Sequence, residues 1–186
     1  MRIGIIALAA AAIGLAIPAG AQERVDPSNH GAVSSQTKVE RDPYTGIVTV
    51  AAPAIPVSAR RAFTPPDTLQ MYGSKAAAGE IELALYVSMI TDTKDGTDYR
   101  TAASGGRQLR VQTEAPRIRG CGGGRYLRGS CSYLEGLWII FDADMLAHVA
   151  ADGFSFAVYG EGPRKEFNLP AAYFAAFKAA FEAATN

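Results

Sequence analysis

The sequence predicts an α+β domain with a mainly antiparallel sheet, a short helix after its central strand and a C-terminal helix packed on one face. Three observations support this fold class. Several segments alternate apolar and polar residues with the period of a strand. Turn-forming residues separate these segments, without the regular alternation of strands and helices that builds a parallel sheet. The chain then closes on an alanine-rich segment whose phenylalanines have helical spacing.

The first 21 residues are typical of a secretory signal peptide. Arg2 supplies the positive start, residues 3–17 carry no charge, and residues 19–21 are the small residues that a signal peptidase requires. The alternative is a membrane anchor, but Pro18 interrupts the apolar stretch, and a spanning helix needs about 20 apolar residues. We therefore expect a periplasmic or secreted protein with no membrane span after signal cleavage.

Cleavage after residue 21 would leave 165 of the 186 residues, which suits one domain with a substantial core. This remainder carries 17 basic and 18 acidic side chains, because Arg2 is lost with the leader. Such a balance argues against a nucleic-acid partner. We assign residues 22–45, which are polar and lack an apolar period, to an irregular N-terminal arm. Residues 46–186 form the predicted domain.

The first predicted strand is the β-branched segment 46–51, and a proline-rich loop follows it. The clearest strand is 80–91, whose alternate residues form an apolar set and a more polar set. The apolar set is Ile81, Leu83, Leu85, Val87 and Met89, and the other set is Glu80, Glu82, Ala84, Tyr86 and Ser88. A turn at residues 92–96 would return the chain into a strand at 99–103. Because residues 107–113 alternate again, these segments together predict a meander.

The segment 133–141 is the predicted central strand, since its second half is apolar on both faces. Asp142 has the position of an N-cap for a short helix that follows at once. Gly153 is placed to end that helix in a left-handed conformation.

A hairpin of residues 154–159 and 165–169 comes next, with glycine and proline at its turn. Pro170 then opens the final helix. An aromatic stripe at helical spacing marks the face of this helix that we expect to lie in the core. Its members are Phe174, Phe177 and Phe181.

Cys121 and Cys131 are the only cysteines, and export to an oxidising compartment favours a disulfide between them. The glycine-rich segment between them allows the geometry of the bond. A redox pair and a metal site are the alternatives. The spacing is not C-x-x-C and no histidine lies nearby, so we expect neither a metal nor a cofactor.

Arginines are unevenly distributed, because seven of the thirteen lie between residues 100 and 128, where Glu114 is the only acid. The guanidinium group binds carboxylates and phosphates through two parallel hydrogen bonds. The candidate ligand-binding residues around the cysteine loop are Arg117, Arg119, Arg125, Tyr126 and Arg128. The alternative is that these arginines are solvated surface residues, neutralised by acids on a neighbouring strand. Those acids are Glu80, Glu82, Asp92, Asp95 and Asp98.

The sequence offers no catalytic set. His30 and His148 have no evident nucleophile or carboxylate partner. The acidic turn at residues 92–98 does not match the ligand positions of a calcium-binding EF-hand loop. We therefore predict no catalytic and no metal-ligating residues.

Three segments resemble parts of small exported proteins of unknown function from Gram-negative bacteria. They are CSYLE at residues 131–135, the Gly153-Phe154 turn and FNLPAAYF at residues 167–174. The resemblance covers the C-terminal part of the chain. It implies an envelope protein, and it carries over no catalytic residue and no ligand.

These observations favour a non-enzymatic exported domain that binds an anionic ligand or an envelope protein through the arginine-rich cysteine loop. A cell-envelope hydrolase whose site is assembled only by the fold is one alternative. An inhibitor of a lytic enzyme is another, although a cationic lysozyme would be repelled by so basic a loop.

Overall fold

The computed structural model describes residues 24–58, 66–91, 98–121 and 131–186, and these ranges contain three helices and twelve strands. The helices are His30–Gln36 (α1), Ala143–Asp152 (α2) and Ala171–Thr185 (α3). The strands are Lys38–Arg41 (β1), Val48–Ala51 (β2), Ile55–Pro56 (β3), Thr68–Lys75 (β4), Ile81–Thr91 (β5), Thr101–Ser104 (β6), Arg107–Gln108 (β7), Val111–Thr113 (β8), Arg117–Cys121 (β9), Cys131–Phe141 (β10), Phe154–Tyr159 (β11) and Lys165–Leu169 (β12).

Three predictions fall on residues outside these ranges: the signal peptide at residues 1–21, the turn at residues 92–96, and the loop residues Arg125, Tyr126 and Arg128 of the predicted binding site. Within the described part of the chain, no helix has both the length and the apolar character needed to cross a membrane.

The strands form two sheets in which every described pairing is antiparallel. The main sheet has the order β1-β2-β4-β5-β10-β8, with β3 also paired to β4 and β9 also paired to β10. The second sheet has the order β12-β11-β6-β7. The predicted α+β class is confirmed. The central position of β10 is confirmed too, because β5 lies on one side of it and β8 and β9 lie on the other.

The core lies on one face of the main sheet, which we call the inner face. Alternate residues of β5 and β10 are buried there, as the strand period requires. They are Leu83, Leu85, Val87, Met89, Leu137, Ile139 and Phe141. Helix α3 packs on this face, and the ring of Phe181 lies so close to Gly73 that a Cβ atom there would be 2.8 Å from it. The predictions of a C-terminal helix on one face and of a buried aromatic stripe are confirmed.

Tyr173, in the first turn of α3, fills a gap in the main sheet. Pro53 separates β2 from β3, and both strands pair with β4, so the Met71 N–H on this side of β4 has no strand carbonyl as its partner. The Tyr173 hydroxyl accepts a hydrogen bond from the Met71 N–H at 3.0 Å and donates one to the Pro53 carbonyl at 3.0 Å. The side chain thereby satisfies two backbone groups that strand pairing leaves open.

A salt bridge joins the two sheets. Asp67, which is largely buried just before β4, accepts a bond from Lys165 of β12 at 2.7 Å and another from the Ile90 N–H at 3.1 Å. The Lys165 ammonium also lies 5.8 Å from the centre of the Tyr99 ring. These contacts fix the second sheet against the end of β5.

The N-terminal segment differs from the expected irregular arm, because it contains α1 and β1. The Asn29 side chain caps α1 by accepting a bond from the Ala32 N–H at 3.1 Å. Val33 is the buried residue of this helix, and α1 packs on α3. A single buried residue gives no apolar period, so the sequence pattern could not reveal this helix.

The predicted meander is wrong. Strand β6 pairs with β11 and β7 in the second sheet instead of returning along β5. The segment expected as one strand at residues 107–113 also splits, because β7 belongs to the second sheet and β8 to the main sheet. The chain changes sheet between Leu109, whose N–H binds the Ala102 carbonyl, and Arg110, whose carbonyl binds the Ile140 N–H. Alternating residues predict a strand but not the strand that pairs with it, because the pairing depends on long-range packing.

Candidate functional site

Two of the predicted ligand-binding residues, Arg117 and Arg119, lie on β9, and both are exposed. The other three, Arg125, Tyr126 and Arg128, fall outside the described residues, so their part in the site stays a prediction. The predicted disulfide between Cys121 and Cys131 is confirmed. The two cysteines face each other directly in the pairing of β9 with β10, so the bond fastens the end of the arginine-bearing strand to the central strand.

Strand β9 has an irregular register. Ser132 pairs with Gly120 and Tyr133 pairs with Ile118, so Arg119 is an extra residue with no partner on β10. An extra residue of this kind bends a strand and changes the direction of its side chain, often at the edge of a sheet. Strand β8 continues the same edge, pairing with β10 from Leu137 to Ile139. We call the strands β8 and β9, with Arg110, Arg117 and Arg119, the arginine edge.

The expected neutralisation by acids is only partly seen. Asp98 forms a salt bridge with Arg100. Glu114 lies 3.5 Å from Arg117, whose side chain is nevertheless 73% exposed. Arg110 and Arg119 form no ion pair with an acid in the described ranges. The arginine edge therefore retains positive charge that faces solvent.

Beside the arginine edge lies a group of aromatic side chains on the outer face of the main sheet, the face opposite the core. Tyr72 of β4, Tyr86 of β5 and Trp138 of β10 are half-buried there. The Trp138 ring centre lies 4.4 Å from that of Tyr86 and 5.5 Å from that of Tyr72. We call these three residues the aromatic group.

Glu114 connects the aromatic group to the arginine edge. Its carboxylate accepts a bond from Trp138 Nε1 at 2.9 Å and one from the Tyr86 hydroxyl at 3.4 Å, and it pairs with Arg117. The backbone N–H of Glu114 donates to the Gly136 carbonyl at 2.9 Å, which holds the residue beside β10. One carboxylate therefore sets the positions of an indole, a phenol and a guanidinium group.

Gly136 makes this arrangement possible. A Cβ atom at this position would lie 2.6 Å from the Tyr86 hydroxyl and 2.9 Å from a Glu114 carboxylate oxygen. Both distances are shorter than real contacts of a Cβ atom. The absence of a side chain on the outer face lets the phenol and the carboxylate meet above β10.

The environment of Tyr86 changes its acidity. Burial raises its pKa to about 12, and the negative charge of Glu114 adds to the effect while Arg117 opposes it. Burial also raises the pKa of Tyr72. Both phenols therefore stay protonated at neutral pH and act as hydrogen-bond donors.

The other side of the aromatic group is fixed by Gln70. The Tyr72 hydroxyl donates to Gln70 Oε1 at 2.6 Å, and Gln70 Nε2 donates to the Ala52 carbonyl at 2.8 Å. In the sheet register, Gln70 lies opposite Tyr86 and Gln112 lies opposite Trp138. Uncharged amides thus border the rings on both sides.

A cleft of about 360 Å³ opens next to Glu114, where the end of β5 and the middle of β10 face the segment that leads into β6. Its polar lining consists of three carboxylic acids, one arginine, a threonine and a tyrosine, namely Asp98, Glu114, Glu135, Arg100, Thr113 and Tyr99. Glu135 is only 4% exposed. The acids outnumber the arginine, so an anion would be repelled from the cleft and attracted to the arginine edge instead.

His148 is exposed on α2 and is not among the residues that line the cleft. Its Nδ1 atom is 3.1 Å from Asp152, one helical turn further on, and its side chain is 74% exposed. Among the described residues, no group of three or more His, Cys, Asp or Glu side chains has the geometry to hold a metal ion.

Comparison with protein-family models, curated proteins and solved structures finds no significant match to this chain. The resemblance to small exported proteins therefore stays a prediction, and the site is interpreted from its own geometry.

Proposed function

We propose that this protein is an exported, non-enzymatic domain that binds an anionic envelope component or an envelope protein through the arginine edge and the loop closed by the disulfide. The observation that carries the proposal is the position of Arg117 and Arg119 on an edge strand that the Cys121–Cys131 bond fastens to the central strand. Two arginines on an anchored strand lose less conformational freedom on binding than two on a free loop.

Export is supported by the signal peptide predicted at residues 1–21 and by the disulfide, because disulfides persist in oxidising compartments and are rare in the cytosol. His148 is exposed and does not line the cleft, whereas three acids do, so the cleft keeps the envelope hydrolase as the alternative. The alternatives of an envelope hydrolase and of a lytic-enzyme inhibitor stay predictions.

Charge reversal at the arginine edge tests the proposal. The full chain, expressed with its own leader in a Gram-negative host, would be purified and co-sedimented with outer-membrane vesicles at low and high NaCl. We expect the wild type to sediment at low salt and to be released at high salt, since salt screens exposed charges. The double variant Arg117→Glu/Arg119→Glu should remain in the supernatant at both salt concentrations.

A matched control is Arg107→Glu/Arg164→Glu, which changes the net charge equally at exposed sites on or beside the second sheet. This control should sediment like the wild type. Equal sedimentation of the wild type and the Arg117/Arg119 variant contradicts the proposal, and so does a wild type that never sediments. Adding Arg125→Glu and Arg128→Glu extends the same test to the predicted loop residues.

A further inference from the structure

The aromatic group lies on a face of the main sheet that the described helices do not use. Helix α3 packs on the inner face, and α1 and α2 pack on α3. On the outer face, Tyr72, Tyr86 and Trp138 are half-buried, so each retains some contact with solvent. Clustered large rings at a protein surface, bordered by polar groups, are typical of a binding site.

The rings are held in place before any ligand arrives. Glu114 binds the polar atoms of Trp138 and Tyr86, and Gln70 binds that of Tyr72. Their polar atoms are therefore satisfied, and the rings also contact one another. A ligand would not have to order these side chains, so a smaller entropy loss would oppose its binding.

The neighbours of the rings indicate the chemistry of the ligand. In the sheet register, the amides Gln70 and Gln112 lie directly opposite Tyr86 and Trp138 on the outer face, with the hydroxyls of Thr68 and Ser88 beyond them. Along the strands, the small aliphatic surface of Ala84 and Ile140 adjoins the rings. Amides and hydroxyls can exchange hydrogen bonds with hydroxyl groups of a ligand, while the rings can contact its C–H groups. A sugar ring has the matching surface, because it presents C–H groups on its face and hydroxyl groups around its rim.

The arginine edge begins where the aromatic group ends. Arg117 lies opposite Leu134 in the register, so its side chain is on the same face of the sheet as Trp138. Glu114 contacts both residues, at 2.9 Å from Trp138 Nε1 and 3.5 Å from the Arg117 guanidinium. The guanidinium has five N–H donors and remains mostly exposed, so donors are left for a ligand.

From these observations we infer that the anionic partner is an acidic polysaccharide, whose sugar rings stack on the aromatic group while its acidic groups bind Arg117 and Arg119. The inference rests on the proposed function, since it assigns the ligand class of the same arginine edge. It adds the outer face of the sheet to the site, with Trp138 at its centre.

Trp138 is the only tryptophan in the chain, so its fluorescence reports directly on this surface. The probes are alginate and lipopolysaccharide as acidic polysaccharides, polyglutamate as an anionic polymer without sugar rings, and oligothymidylate as a single-stranded nucleic acid. We expect alginate or lipopolysaccharide to shift the emission of the wild type and to protect it from acrylamide quenching. Polyglutamate should bind in a salt-sensitive way without changing the emission of Trp138.

Two variants remove rings independently. Trp138→Ala and Tyr72→Ala should each weaken binding of the polysaccharide on the order of tenfold, which corresponds to the loss of one stacked ring. Neither should change binding of polyglutamate, and this also shows that the variants are folded. Ile81→Ala, an exposed apolar truncation on β5 outside the aromatic group, is the matched control and should bind like the wild type.

The outcomes separate the two proposals. Suppose that Arg117→Glu/Arg119→Glu abolishes binding of all anionic polymers, but Trp138→Ala and Tyr72→Ala bind every polymer like the wild type. The ligand class is then wrong, and the proposed function survives. If the arginine variant binds every probe like the wild type, the proposed function fails. Two further results overturn the polysaccharide assignment: tighter binding of oligothymidylate that depends on Trp138, or no binding of either polysaccharide.

Discussion

Tyr173 and Met71 are joined by a hydrogen bond of 3.0 Å between a side-chain hydroxyl of helix α3 and a backbone N–H of strand β4. The same hydroxyl donates to the carbonyl of Pro53, so one side chain connects the helix to β4 and to the segment between β2 and β3. Removing this hydroxyl leaves two polar backbone groups without a partner in the core.

We therefore expect Tyr173→Phe to lower the free energy of unfolding by about 2 to 3 kcal/mol, because buried donors and acceptors are costly to leave unsatisfied. Urea unfolding followed by circular dichroism measures the change. Tyr44→Phe is the control, since Tyr44 is 97% exposed and its hydroxyl contributes little. Equal unfolding midpoints for the two variants would show that the Tyr173 hydroxyl is not needed.

The disulfide should contribute measurable stability, since it closes a loop with a sequence separation of 10. The loss of chain entropy predicts that Cys121→Ala/Cys131→Ala lowers the free energy of unfolding by about 2 to 3 kcal/mol. Urea unfolding of the wild type with and without a reducing agent should give the same difference. A double variant as stable as the oxidised wild type would contradict this expectation.

Replacing Glu114 by glutamine should change the site in two ways. The pKa of Tyr86 should fall from about 12, because the adjacent negative charge is lost, but stay above its ordinary value, because burial remains. Loss of this charge also leaves Arg117 more attractive to an anion, so binding at the arginine edge should become tighter. Tyrosine NMR titration and binding at low salt measure the two effects.

The control for that variant is Glu166→Gln, which removes an exposed carboxylate beside Arg164 in the second sheet. It should change neither the titration of Tyr86 nor the binding. A Glu114→Gln protein with an unchanged Tyr86 titration would show that Glu114 does not lie next to this phenol.

Stability should decline in alkaline solution. Tyr86 has a pKa of about 12 in the folded chain, and burial also raises that of Tyr173, whereas an unfolded phenol titrates near pH 10. A group whose pKa is raised by folding stabilises the fold fully below its unfolded pKa and loses that contribution as the pH rises through its folded pKa. The free energy of unfolding should therefore fall between about pH 10 and pH 12.

Urea unfolding over this pH range tests the expectation, with Tyr86→Phe as the comparison. The variant has no phenol at this position, so its stability should decline less steeply than that of the wild type. Parallel pH profiles for the two proteins would mean that Tyr86 does not contribute.

The sequence predicted the elements whose pattern is local. Strands β5 and β10, helices α2 and α3 and the hairpin of β11 and β12 follow from alternation, capping residues and helical spacing. The pairing of β6 with β11 could not be predicted, because it joins residues about fifty positions apart and depends on which apolar faces meet.

The candidate site was predicted in the same partial way. Arg117 and Arg119 were identified by charge alone, and their exposure agrees with that reading. The role of Glu114 was missed, although it is the only acid among the clustered arginines. Its contact with Trp138 arises where β8 meets β10, so it needs the sheet register and not the sequence pattern.

The edge strands at the two sides of the main sheet both carry exposed charged residues, and this affects the choice of variants. Strand β1 carries Lys38, Glu40 and Arg41, all exposed, and β9 carries Arg117 and Arg119. Charged side chains on a border strand hinder the addition of a strand from another molecule and so oppose aggregation. Glutamate at the arginine positions keeps this protection, whereas alanine would remove it and make loss of solubility hard to tell from loss of binding.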